Sequence, residues 1–122
     1  MSYKHPVDTS FIETQIGDSP EIIIEMSVVF LEVLREYQKY IKEGITSNDF
    51  VAIRLHAHKI KPSLSMFGLT GILELVVTIE KAAHNEENMI KVVEYANRVD
   101  AELPMIYHQV EEIIEEKGEK SA

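Results

Sequence analysis

Apolar residues recur at intervals of three and four along almost the whole of this chain, and that spacing admits little besides amphipathic helices. Ile23, Met26, Phe30, Val33, Tyr37 and Tyr40 form one stripe. Phe50, Ile53, Ala57, Ile60, Leu64 and Phe67 form a second, and Ile72, Val76, Ile79 and Ala83 a third. The longest runs through Met89, Val92, Ala96, Val99, Leu103, Ile106, Val110 and Ile113. No segment alternates with period two for long enough to make a strand. Turn chemistry divides the stripes. Ser10 with Glu13 has capping-box spacing for a short first helix. Ser19-Pro20 is a helix start, and Gly44 and Gly68 are stops. Thr46 to Asn48, Thr70 and Asn85 open the later helices. Pro104 should kink the last one, since it offers no donor to the carbonyl four residues back.

Four such helices joined by short polar turns can hide their stripes only against one another. The expected fold is therefore all-α: an antiparallel four-helix bundle, with a short N-terminal helix near residues 9 to 16 lying across one end as a cap. At 122 residues the chain makes one domain, with its core over about residues 8–117. It has no cysteine, which excludes disulfides, zinc-thiolate sites and thiol catalysis. It has no apolar run of bilayer length and no secretory signal, so cytoplasmic residence is the expectation. A formal charge of -9 argues against nucleic acid and anionic membranes as partners.

Against that acidity one segment stands apart. Phe50 to Leu73 contains no aspartate or glutamate, although the chain carries 21 acids. The segment holds Arg54, His56, His58, Lys59 and Lys61, a set of cationic and titratable groups suited to an anion. At roughly 100° per residue the third helix also acquires a second apolar face. Val51, Leu55, His58 and Pro62 gather nearly opposite the core stripe, with Ser65 at the edge. A contiguous exposed strip of this kind marks a protein-binding surface. Lys61 follows His58 by three residues and is its neighbour on the helix; Arg54 precedes it by four.

A solvent-facing histidine on a rigid helix can be a ligand, a general base or a nucleophile. Metal is the weakest option: His56 and His58 lie roughly 200° apart on a helix, and no carboxylate near in sequence completes a set. General-base catalysis needs a pocket, which a bundle packed by these stripes does not offer. Attack on a phosphoryl group remains. Neutral imidazole, with an ordinary pKa of about 6.5, presents a lone pair near neutrality. Lys61 can offset charge on the phosphoryl oxygens.

The run Ala57-His58-Lys59-Ile60-Lys61-Pro62-Ser63, followed by Phe67-Gly68-Leu69, resembles the signature of histidine-containing phosphotransfer (HPt) domains. Helix order, the short first helix, the acidic last helix and the length agree with that family as well. The resemblance implies a phosphocarrier in a multistep relay, without ATP binding or kinase activity. Its partners would be response-regulator receiver domains and a sensor or hybrid histidine kinase. It needs no cofactor of its own, the Mg²⁺ belonging to the receiver. It further implies that His58 is the phosphoacceptor through Nε2, that Lys61 stabilises the phosphoryl charge, and that Glu80 occupies the position that orients the imidazole. Receivers would dock on Val51, Leu55, Pro62 and Leu69, with Arg54, Lys59 and Ser65 nearby, while Gly68 is structural. The module is expected to act as a monomer, so that this strip stays open. The chain departs from the pattern at Pro62, where the family usually has glycine. Proline removes the hydrogen bond to the carbonyl of His58. Either the helix kinks slightly and transfer is retained, or the imidazole is displaced; the retention of His58 and Lys61 favours the first.

Plainer readings stand beside these. His56 borders the core stripe and reads as a packed histidine, His84 as turn chemistry, and His5 and His108 carry no signal. Ser63 and Ser65 more often bond to the backbone behind them, and Lys59 reads as a solvated charge that biases encounter. Val51 and Leu55 could pack under the first helix, which would remove the strip. The alternative function is a helical adaptor that binds a receiver or another helical partner and never carries phosphate.

Overall fold

The structure, a computed structural model, describes the backbone of residues 7–121 and the side chains of residues 7–119. His5 lies outside the described residues. Five helices follow one another: α1 (Ser10–Gln15), α2 (Pro20–Thr46), α3 (Phe50–Met66), α4 (Thr70–His84) and α5 (Met89–Ser121). There is no strand among the described residues. The four long helices pack each against its chain neighbour, and α5 closes the ring against α2. This is an antiparallel four-helix bundle.

The core is built from the stripes. Ile53, Ala57, Ile60 and Leu64 of α3 meet Ile72, Val76, Ile79 and Ala83 of α4, and all are buried. Val92, Ala96, Val99, Leu103, Ile106 and Val110 of α5 complete it. Half of the α2 stripe, Ile23, Phe30 and Tyr37, is buried as expected. Leu34 and Ile41 are buried, while Met26, Val33 and Tyr40 are half-buried. A strict three-four alternation has a period of 3.5 and drifts by roughly 20° every seven residues on a straight helix. Over α2 the drift stays small enough that Ile23, Phe30 and Tyr37 all face the core, with Met26, Val33 and Tyr40 at its margin.

Several helix ends fall elsewhere than the turn signals suggest. Ser19 does cap α2, accepting from the Ile22 amide at 3.3 Å, with Pro20 in the first turn. Gly44, however, lies inside α2. A Cβ there would sit 2.7 Å from Cγ1 of Ile53, so this glycine permits close approach of α3 rather than a stop. The turn is made instead by Asn48 at φ 54, and Asp49 caps α3 by accepting from the Ala52 amide at 3.0 Å. Asn85 closes α4, and α5 is opened by Asn88, which accepts from the Lys91 amide at 3.1 Å. Thr70 makes no cap; Leu69 holds that position. At α1, Thr9 pairs with Glu13, and Asp8 accepts from both the Ser10 amide and its hydroxyl. Both α3 and α5 run continuously through their prolines, Pro62 and Pro104.

The short first helix covers the end of the bundle where α3 terminates. The Asp8 amide donates to the Phe67 carbonyl at 2.9 Å, the Val7 amide to Oε1 of Gln109 at 2.6 Å, and Ile12 is fully buried. Gly68 ends α3 with φ +71, and a Cβ on it would meet Cβ of Asp8 at 2.8 Å. This placement leaves Val51 and Leu55, at the other end of α3, 56 and 58 % exposed. The strip is therefore not covered by α1.

Candidate functional site

His58 stands midway along α3, on the face turned away from the core, and its side chain is 68 % exposed. The antiparallel neighbour α4 brings Glu80 against it. Glu80 Oε2 lies 2.7 Å from His58 Nδ1, and Oε1 lies 2.6 Å from the Lys61 ammonium. One carboxylate thus holds both of the α3 residues that the sequence singled out. Its own side chain is only 20 % exposed, and that of Lys61 27 %. Burial alone would raise the Glu80 carboxyl, but the hydrogen bonds and charges of Lys61 and His58 together outweigh it and leave its pKa below the ordinary value.

That arrangement fixes the imidazole chemically. An ionised carboxylate only accepts, so the Nδ1 facing it carries the proton. In the neutral ring the lone pair then belongs to Nε2, which no group among the described residues engages. The tautomer and the ring plane are both set from behind by Glu80, while Nε2 is left to solvent.

Pro62 does not disturb this geometry. It is exposed, the helix runs through it, and the bond between His58 and Glu80 is made. Displacement of the imidazole, the second outcome allowed by the sequence, is not what the structure has.

Around His58 the structure sorts the expected docking residues. Val51, Arg54, Leu55, Pro62 and Ser65 are all exposed on α3. Lys59 is exposed too but points along the other flank, where it pairs with Glu36 of α2 at 2.7 Å. Leu69 has to be corrected. It is fully buried and cannot contact a partner. The left-handed turn at Gly68 swings the chain so that the Leu69 amide bonds back to the Leu64 carbonyl at 2.9 Å, and its side chain enters the core beside Phe67. A hydrophobic residue just past a glycine stop commonly packs back on the helix it follows.

Three features were missed in the sequence. His84 is not turn chemistry; it ends α4, and its Nδ1 lies 3.1 Å from Arg54 Nη1. A groove of about 400 Å³ runs between the two helices, lined by Val51, Arg54, Leu55, His58, Glu80 and His84. Half-exposed Val29 extends the apolar surface onto α2, where it shares a recess of about 190 Å³ with Met26, Ser63 and Met66. The adjacent pair Val28-Val29 carried a signal, since two neighbours cannot both face one core. His56 is packed, stacked on Tyr40 with ring centroids 4.5 Å apart.

Among the described residues no helix is long and apolar enough to cross a membrane. No curated protein and no solved structure gives a significant match to the chain. The family model of the Hpt domain matches residues 25–116, a span that includes His58, Lys61 and Glu80. The chain belongs to the Hpt domain family, helical phosphocarriers of two-component signalling that work with receiver domains and histidine kinases.

Proposed function

We propose that the chain relays a phosphoryl group between aspartates of two receiver domains through Nε2 of His58. The observation that carries this reading is the 2.7 Å bond from His58 Nδ1 to Glu80 on a ring that is 68 % exposed. It prepares one nitrogen as a nucleophile and leaves that nitrogen open.

In the first transfer the Nε2 lone pair attacks phosphorus of an aspartyl phosphate. The N–P bond forms, the P–O bond to aspartate breaks, and its electron pair leaves on the carboxylate. The ring, still protonated on Nδ1, now carries a positive charge that the Glu80 carboxylate offsets at hydrogen-bond distance. In the second transfer an aspartate of another receiver attacks the same phosphorus, and the N–P electrons return to Nε2. No proton has to leave the site in either direction. Lys61, held beside the ring by Glu80, offers its ammonium to the phosphoryl oxygens. The Mg²⁺ belongs to the receiver, and the chain brings no cofactor, nucleotide site or kinase activity of its own. Upstream stands a sensor or hybrid histidine kinase. Receivers dock on Val51, Leu55, Pro62 and Ser65, with Arg54 and Lys59 at the margins, on a monomer in the cytoplasm.

The test is transfer from a phosphorylated receiver domain. Label on the chain should be acid-labile, alkali-stable and absent from His58→Gln. An adaptor that binds without carrying phosphate gives no label and retains binding.

A further inference from the structure

Arg54 has an unusual resting partner. Its guanidinium offers five donors in a planar fork whose best match is a carboxylate. The chain carries 21 acidic residues, yet none of those described pairs with Arg54. Its partner is His84, whose Nδ1 accepts one bond at 3.1 Å. Because arginine only donates, that nitrogen must be the unprotonated one, so the acceptor is a neutral imidazole. A neutral acceptor satisfies a guanidinium less well than a charged one.

The surroundings point the same way. Lys81 and Asn85 continue the groove past Arg54 and His84. The one carboxylate that lines it, Glu80, has both oxygens engaged by His58 and Lys61. The groove is thus cationic in a chain of net charge -9, and its outer wall is the exposed pair Val51 and Leu55. It is continuous with the phosphoacceptor, since His58 and Glu80 line it as well.

We infer that Arg54 is a specificity-determining residue: it takes a side-chain carboxylate of the docking receiver, exchanging His84 for that carboxylate, while Val51 and Leu55 meet apolar residues beside it. The inference rests on the phosphocarrier reading and adds to it the chemistry by which a partner is chosen. A receiver with a neutral or basic residue at that point leaves the guanidinium on its weaker acceptor and docks poorly.

The full chain, labelled with ¹⁵N, is titrated with a panel of unphosphorylated receiver domains, and binders are retested against Arg54→Gln, Arg54→Lys and Arg54→Glu. The expected result is roughly tenfold weaker binding for Arg54→Gln, with a shallower salt dependence, and an intermediate value for Arg54→Lys. Binding by Arg54→Glu should be restored when one receiver carboxylate is changed to lysine. With phosphorylated receiver, the loss should fall on KM and leave the rate at saturation alone. Affinity of Arg54→Gln within twofold of wild type overturns the inference, as does a loss confined to the saturated rate. If no receiver binds, the groove is not a docking site. Labelling of wild-type His58 by phosphoramidate, which requires no docking, then decides separately whether the phosphocarrier reading falls too.

Discussion

His58 and Glu80 are joined by a 2.7 Å hydrogen bond from the imidazole Nδ1 to a carboxylate oxygen across the α3–α4 interface. The bond divides the ring into a held nitrogen and an open one. Because the other oxygen of Glu80 holds Lys61 at 2.6 Å, the imidazole and the ammonium share one anchor. Changes at Glu80 therefore act on both.

Glu80→Gln separates orientation from charge. The amide oxygen can still accept from Nδ1, but the negative charge facing the phosphorylated ring is gone and Lys61 loses its ion pair. A charge-assisted hydrogen bond exceeds a neutral one by about 1 kcal/mol or more. Single-turnover transfer from a phosphorylated receiver should slow by about tenfold, and by more in Glu80→Ala, which also frees the ring.

The same carboxyl sets part of the acid response. Its pKa is lower in the folded chain than the ordinary 4.5, the bonds from Lys61 and His58 overcoming the opposing effect of burial. A carboxyl of this kind contributes stability that is fully present above about pH 4.5 and is lost as pH falls through the folded value. Asp8 and Glu36 are lowered as well, through Ser10 and Lys59 respectively, and lose stability in the same range. Urea denaturation between pH 7 and 3 should show Glu80→Gln less stable than wild type at the upper end. The gap should narrow on acidification, as the wild-type carboxyl takes up its proton.

Lys61→Ala should lower the rate of transfer roughly ten- to a hundredfold while changing receiver affinity by much less, since removing a preorganised positive group acts mainly on developing charge. Equal rates in wild type and variant at saturating receiver contradict an electrostatic role for Lys61.

Pro62 and Gly68 make opposite predictions for stability. Proline inside a helix costs about 3 kcal/mol relative to alanine, and Pro62 leaves the carbonyl of His58 without its helical donor. Its side chain is exposed, so Pro62→Ala removes little packing and should stabilise the fold by about 1–3 kcal/mol in urea melts. Gly68→Ala should destabilise it by about 1–3 kcal/mol, because the residue has φ +71 and the new methyl meets Asp8.

The sequence carried the fold well where one stripe spans the buried face of a helix. On α3, α4 and α5 the three-four stripes land in the core, except for Phe50, Met89 and Ile113 near the helix ends, which are half-buried. On α2 the stripe caught Ile23, Phe30 and Tyr37 but passed over the equally buried Leu31, Leu34 and Ile41, because the buried arc is wider than one stripe. Gly44 was misread because the residues of a sequence do not say whether a glycine bends its own backbone or makes room for another. Leu69 was misplaced for a related reason. The resemblance put it on the docking strip, and nothing in the residues says that the turn at Gly68 sends its side chain into the core. That His58 and Lys61 lie side by side was legible because three-residue spacing on one helix is a local property. The pairing of Arg54 with His84, thirty residues on, depends on how two helices align, which periodicity does not encode.

The most direct measurement is long-range ³¹P–¹⁵N correlation on the full chain after phosphorylation by a receiver. Phosphorus coupled to Nε2 of His58, with a proton still on Nδ1, is the predicted result. Phosphorus on Nδ1, on another residue, or nowhere in the chain would contradict the account.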